Sequence, residues 1–386
     1  MWVGKEVNAL TKVLEYIWEE KGFIYTTFGN ISSTLLGALF WFILASILQV
    51  RDYGEVNYLI ALAVIPASIA SLGLNTVVVT YLAKGEEKIV WEADTIALFS
   101  GVIAGLILFG TLWIASLIVA ALVFFNMSIA EILGRKYYKE YALATILQRA
   151  IQIISSIILY LEIGILGILI GYFLGPMLMS YRFLGNMKNL TFRIDGLRNK
   201  INFMLHSYGQ NLVGSFSTYL DKIIIGGLFG LYSLGLYQLG FQFLMLLAAI
   251  PGSLYNYLLP EESSGVNRAR IKIIGIISSL VLALMAIFIA PYIVNLLFPN
   301  FIESIRLIQI MSLAIIPLTI TSLANARLFG EERSKYVFLG GIIYVLTMVA
   351  GLVVLGLYLG DVGLAIAILF AQSSRALYLS SKVGIL

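Results

Sequence analysis

Residues 23–50 run for 28 positions without a charged side chain, and residues 56–83 do so for another 28. Residues 95–130 extend the pattern to 36. A helix rises 1.5 Å per residue, so about 20 apolar residues cross the ~30 Å hydrocarbon core of a bilayer. Such runs do not suit a water-soluble chain, whose surface Lys, Glu, Arg and Asp normally cover. Only 12% of the 386 residues are charged and 60% are apolar, against about 25% and about 45–50% in soluble domains. The chain reads as an all-α polytopic membrane protein. Loops this polar between spans this apolar suit helices, not a barrel of ~10-residue alternating strands.

The pattern predicts twelve spans. The run 95–130 is too long for one crossing and makes two, with a turn near Gly110 and Thr111. Further apolar runs cover 141–161, 163–181, 201–229, 234–260, 273–300, 307–326, 336–360 and 362–381. Six spans therefore lie on each side of a basic stretch, which divides the chain into an N-terminal segment (1–22), a first lobe (23–181), a linker (182–200) and a second lobe (201–386). With the N-terminus in the cytoplasm, 21 of the 25 Lys and Arg residues fall on the cytoplasmic side, as the positive-inside rule requires. Arg51, Lys222 and Arg306 fall outside, and Arg149 lies within a span. Both termini are expected in the cytoplasm. Residues 1–22 hold four glutamates and lack the apolar core of a signal peptide. Val3, Val7, Leu10, Leu14 and Ile17 recur at helical spacing, the stripe of an amphipathic helix lying on the inner membrane surface or across the mouth of the bundle.

Several chemistries are excluded. There is no cysteine and one histidine, His206, so neither a thiolate nor a His-based metal site can form. No GxxxxGK[ST] loop and no GxGxxG turn is present, so no nucleotide or dinucleotide cofactor is expected. Topology explains the net charge of +4, and no nucleic-acid partner is implied. No enzyme activity is expected: a membrane glycosyltransferase or polymerase would want a large outer loop and clustered acids.

Sliding the sequence by 181 residues places Asn30 on Asn211 and Gly54 on Gly235, and each half carries a proline in its second span, Pro66 and Pro251. The even number of spans between the halves gives both the same orientation. Residues 28–87 open on FGNISSTLLGALFWF, carry RDYG after the first span and SLGL in the second, and close on KGEE. Residues 219–243 read YLDKIIIGGLFGLYSLGLYQLGFQF and residues 257–264 read YLLPEESS. In this order the runs resemble the Wzx-type oligosaccharide and polysaccharide flippases of the MATE-like MOP exporter superfamily. That resemblance implies two six-helix lobes forming a V around a central cavity. It implies a transporter that moves a lipid-linked oligosaccharide, carried on a polyprenyl or dolichyl phosphate, from the inner to the outer leaflet by alternating access. It implies a monomer in a prokaryotic plasma membrane, contacting membrane lipids and drawing on an H+ or Na+ gradient or on consumption of the product outside. The rival of the same fold is a multidrug/cation antiporter. Many of those carry a carboxylate in the first span, and 28–49 holds neither Asp nor Glu. A peptidoglycan-precursor flippase, usually of fourteen spans, fits less well. A channel is disfavoured because no span is read as carrying a repeated polar stripe.

A polar group in hydrocarbon is costly unless it meets a partner or water, so polar residues within spans are the candidate substrate-binding set. The first lobe offers Asn30, Asn75, Arg149 and Gln152, with Gln148 four residues from Gln152 on the same helical face. The second offers His206, Gln210, Asn211, Asp221 and Lys222 on the seventh span, and Gln238 and Gln242 on the eighth. Each has a plainer reading. The amides can bond helix to helix for about 0.6–2 kcal/mol. Arg149 and Arg375 can snorkel to headgroups, and His206 can fill a helix contact. Asp221 is also implied by the resemblance, as a functional or lobe-stabilising residue. Adjacent residues diverge by about 100° on a helix, so Asp221 and Lys222 are expected to face apart and to find separate partners.

Overall fold

A computed structural model describes residues 21–383 except 111 and 267. The predicted amphipathic segment 1–22 lies, but for its last two residues, outside the described residues. In chain order the helices are α1 (Lys21–Ile47), α2 (Val50–Ala70), α3 (Leu74–Leu82), α4 (Lys88–Phe109), α5 (Trp113–Gly134), α6 (Tyr138–Ile163), α7 (Ile165–Leu178) and α8 (Tyr181–Asn186). After a short α9 (Asp195–Arg198) come α10 (Ile201–Leu228), α11 (Leu231–Leu247), α12 (Ala249–Ser263), α13 (Ala269–Leu297), α14 (Ser304–Ser312), α15 (Ile315–Gly330) and α16 (Ser334–Val383). No strand occurs among the described residues. Nine helical stretches there, two of them the continuous pairs α11–α12 and α14–α15, are long and apolar enough to cross a membrane, and ten when the bent pair Ile165–Leu178 and Tyr181–Asn189 counts as one crossing. The 50-residue α16 is two arms meeting at Gly360, whose φ of 60° a side chain would resist.

The breaks have local causes. The long run 95–130 does divide, between Phe109 and Trp113. Asp94 and Glu131, which bound that run, come back to the same level and share the Asn186 amide at 2.9 and 2.8 Å. A helical hairpin requires that return. The second predicted span breaks at Leu72 and Gly73, both at positive φ.

Two compact units make up the chain: Met1–Phe40 with Pro66–Gly209, and Trp41–Ile65 with Gln210–Leu386. In the first unit α7 lies tight on α6. Gly167, Gly171 and Gly175 face Leu159, Ser156 and Gln148 of α6, with backbone where a side chain would begin. This is the small-residue ridge by which membrane helices approach closely. Gly171→Leu is therefore expected to lower the thermal midpoint of the purified protein far more than Gly185→Leu, where an added Cβ meets nothing within 4 Å.

The second unit holds a reciprocal contact that the 181-residue repeat foreshadows. Gly54 is the fifth residue of α2 and Gly235 the fifth of α11. A Cβ on Gly54 would strike the Leu231 carbonyl, and a Cβ on Gly235 the Val50 carbonyl, each the first residue of the opposite helix. The DYG segment, which the resemblance implies as an outer turn, is helical: α2 begins at Val50 and only Leu48 and Gln49 separate it from α1. The reason is packing. Tyr53 is fully buried, edge-on to Trp41 at 6.0 Å and to Phe301 at 5.5 Å.

The outward faces are apolar. Ile107, Leu161, Phe288 and Leu357 are each more than two-thirds exposed, a surface that water would penalise and lipid does not.

Candidate functional site

In the first unit the polar residues of α6 form a bonded set. Gln148 Nε2 donates to Gln152 Oε1 at 2.9 Å, and Arg149 donates to the same oxygen at 3.0 Å. Gln152 is buried and its own Nε2 lacks a partner among the described residues. Arg149 thus reaches toward a residue farther from its nearer helix end and does not snorkel back to that end. On α1, a Cβ at Gly37 would sit 3.8 Å from Arg149 Nε, so a glycine leaves room for the guanidinium. Asn30 is exposed on α1 and accepts from the Tyr141 hydroxyl at 2.6 Å. Asn75 is half-buried on α3.

Beyond these, sequence reasoning overlooked a set of buried acids at one end of the first unit. Glu92 accepts the backbone N–H groups of Gly196 and Leu197, at 3.3 and 2.8 Å. Glu131 pairs with Arg135 at 2.7 Å, and Arg135 reaches Glu87 at 2.8 Å. Burial and these two carboxylates act oppositely on the Arg135 guanidinium, with a net upward pKa shift. Glu140 takes a two-pronged contact from Arg182 at 2.8 and 2.7 Å. Lys200 meets Glu86 at 3.1 Å, and the Thr191 N–H donates to Thr95 at 3.0 Å. The basic stretch 182–200, expected to tether two moving lobes, is strapped along the first unit by these contacts. The cue was present as acids at span ends, matched by a run of cations.

The helix α10, whose residues up to Gly209 belong to the first unit and the rest to the second, carries the informative face. Asn202, His206, Gln210, Gly214 and Thr218 recur every four residues, and all five are exposed. The sequence offers His206 and Gln210, four residues apart, but no repeated stripe is read there; the stripe extends one step back and two forward. His206 Nδ1 lies 2.7 Å from the Asn202 carbonyl. Asn211 and Gln242 are half-buried. Gln238 is 1% exposed, with an Oε1 that has no partner among the described residues.

Asp221 and Lys222 behave otherwise than expected. They do pair: the lysine stem curls back, and Nζ lies 3.2 Å from Asp221 Oδ1. Asp221 also accepts from the Lys222 N–H at 2.9 Å and from the Tyr237 hydroxyl at 2.5 Å. The ammonium donates to the Thr218 carbonyl and sits 4.4 Å over the Phe241 ring. The 100° divergence holds for Cβ directions, but four methylenes are long enough to cancel it. Both residues are buried, so the pair is interior to its unit. Arg375, expected at headgroup level, is half-buried beside a cavity of the second unit.

The model of the family described as "Polysaccharide biosynthesis protein" matches residues 20–260. The chain belongs to the polysaccharide biosynthesis protein family. No curated protein sequence matches the chain. Among solved structures it is similar to the lipid II flippase MurJ in an inward closed conformation, at 15% identity, over 94% of this chain and 87% of that one, with a TM-score of 0.68. It is also similar to an inward-facing multidrug resistance MATE family transporter of the MOP superfamily, at 15% identity, over 92% and 94%, with a TM-score of 0.70. A MOP superfamily transporter from Pyrococcus furiosus, described by a reversed polarity of its binding pocket, matches at 14% identity over 94% of each chain, with a TM-score of 0.59. Those solved structures are of a flippase and of transporters, and this protein shares their fold; its many long apolar helices make it a multi-pass membrane protein.

Proposed function

We propose that the protein flips a lipid-linked oligosaccharide from the inner to the outer leaflet of a prokaryotic plasma membrane by alternating access. One observation carries this reading: α10 has the length to span a membrane yet exposes Asn202, His206, Gln210 and Thr218 along one face. Facing lipid, such a stripe is expensive; facing a wet path, it replaces water around sugar hydroxyls. The family match supports a polysaccharide precursor as cargo. Twelve spans follow if the bent α7–α8 pair is one crossing, α16 is two and α10 is another. The concentration of Lys and Arg at one set of helix ends supports cytoplasmic termini.

In this reading Asn30, Arg149, Gln152, His206 and Gln210 contact the cargo, with Asn75, Asn211 and Gln242 at its margin. Arg149 serves the phosphate, because a guanidinium held by Gln152 is already oriented for a charge-assisted bond. Asp221, Lys222 and Gln238 support the interior of their unit. The antiporter reading is weaker: α1 has no carboxylate, and Asp221 is already neutralised by Lys222.

The test is reconstitution in vesicles with a fluorescent lipid-linked oligosaccharide, beside a drug-efflux assay. Wild-type protein is expected to flip the lipid and to export no drug; the opposite result overturns the proposal in favour of the antiporter. Gln210→Leu and Asn202→Leu are exposed changes, expected to alter stability by no more than about 0.5 kcal/mol while slowing flipping. Arg149→Ala is expected to slow it further without loss of folded protein. Repeating the assay with an imposed H+ or Na+ gradient assigns the coupling ion.

A further inference from the structure

A cavity of about 340 Å³ lies wholly within the second unit. Its polar wall is Gln210, Ser217 and Thr218 of α10 with Ser334 and Arg375 of α16, and it is bordered by Gly214, where a Cβ would meet nothing within 4 Å. Among the described residues Arg375 makes no ion pair, and its Nε is buried without a hydrogen-bond partner. Taking a guanidinium out of water costs several kcal/mol unless a counter-charge or a full set of acceptors compensates. Protein groups supply neither here. Lys222, a buried cation of this unit, by contrast has a carboxylate, a carbonyl and an aromatic face.

We infer that this cavity binds a phosphate group, with Arg375 as its counter-charge. A planar fork of donors matches phosphate oxygens, and the hydroxyls of Ser217 and Thr218 can turn from their own helix carbonyls, at 2.7 and 3.0 Å, toward an anion. Depth selects phosphate among anions. Arg375 stands eight residues before the end of α16 at Val383, or about 12 Å at 1.5 Å per residue. Gln210 stands nine residues after the start of α10. With Gln210 about 14 Å along α10 from its start at 1.5 Å per residue, the cavity lies within about three turns of a helix end, within reach of a lipid phosphate entering from that end. The same chemistry would serve a membrane phospholipid, a polyprenyl phosphate or free inorganic phosphate.

The site shares α10 with the proposed cargo face, yet it is tested without any flipping measurement. The purified full chain in neutral detergent is titrated separately with inorganic phosphate, short-chain phosphatidylglycerol and a short-chain polyprenyl phosphate. A neutral diacylglycerol and a polyprenol serve as controls, and binding is read by thermal shift and native mass spectrometry. At least one phosphate compound is expected to bind and the neutral ones are not. Arg375→Gln is expected to weaken binding by about tenfold to a hundredfold, the effect of losing charge-assisted bonds. Gly214→Leu keeps the charge but fills the cavity; a Cβ there meets nothing within 4 Å, so folding is preserved while binding falls. If Arg375→Gln does not fold, Gly214→Leu alone decides. Which compound binds assigns the source: cargo, membrane lipid or soluble ion. The inference is overturned if no phosphate compound binds the wild type, or if the folded variants bind as it does. A chain that binds phosphate but flips nothing would sink the flippase reading and leave this one standing.

Discussion

Replacing Gly235 by valine is expected to abolish recovery of folded protein, and Gly54→Val is expected to do the same from the opposite helix. A Cβ at Gly235 lands on the Val50 carbonyl oxygen, with the Val50 carbonyl carbon and a side-chain methyl both 2.9 Å away. A Cβ at Gly54 lands on the Leu231 carbonyl oxygen, 2.9 Å from the Gly235 nitrogen. Overpacking a core usually costs about 1–3 kcal/mol because side chains can turn aside. Here the obstacle on both sides is main chain in the first turn of a helix, which cannot turn aside, so the cost exceeds the top of that range. Size-exclusion chromatography of detergent-solubilised protein is the measurement. Gly227→Ala and Gly252→Ala are the controls, since a Cβ at either meets nothing within 4 Å; a helical glycine replaced in open space gains up to about 1 kcal/mol. Normal monodisperse protein from Gly235→Val would show that α2 and α11 do not meet as described.

The second large effect concerns Asp221 and Lys222. Asp221→Asn leaves a buried ammonium facing the Thr218 carbonyl, the Tyr219 and Phe241 rings and a neutral amide, with no counter-charge. Lys222→Met leaves a buried carboxylate with the Tyr237 hydroxyl and one backbone N–H. Removing one partner of a buried pair costs about 3–5 kcal/mol, while replacing both is often near neutral. Each single variant is therefore expected to lower the thermal midpoint sharply, and Asp221→Asn/Lys222→Met to recover most of the loss. The double variant is also expected to keep flipping, because neither group faces the cargo in this account. A stable double variant that no longer flips would return both residues to the transport path.

The helical, membrane-spanning nature of the chain was legible in the uncharged runs alone, since a 28-residue stretch without charge has few other solutions. The hairpin within 95–130 was legible because its length exceeds one bilayer crossing, and the bounding acids Asp94 and Glu131 meet as a hairpin requires. The repeat was legible too: a 181-residue shift lays the start of α2 on the start of α11. The pairing of Gln148 with Gln152 followed from helical spacing.

Other features depended on three-dimensional contacts. Helical wheels treat side chains as short radial vectors, so they separated Asp221 from Lys222, whereas a flexible stem joins them. The resemblance implied an outer turn at DYG, whereas burial of Tyr53 against Trp41 and Phe301 draws it into α2. A tally of loop charges marked 182–200 as a free linker; its cations and backbone N–H groups meet Glu86, Glu92 and Glu140 only once the first unit has folded. The length of the uncharged runs determined that these helices suit a membrane and about where they end. Which polar atoms face water, which pair in the interior and which, like Arg375, lack a partner was decided by tertiary packing, because exposure belongs to neighbours far apart in the chain.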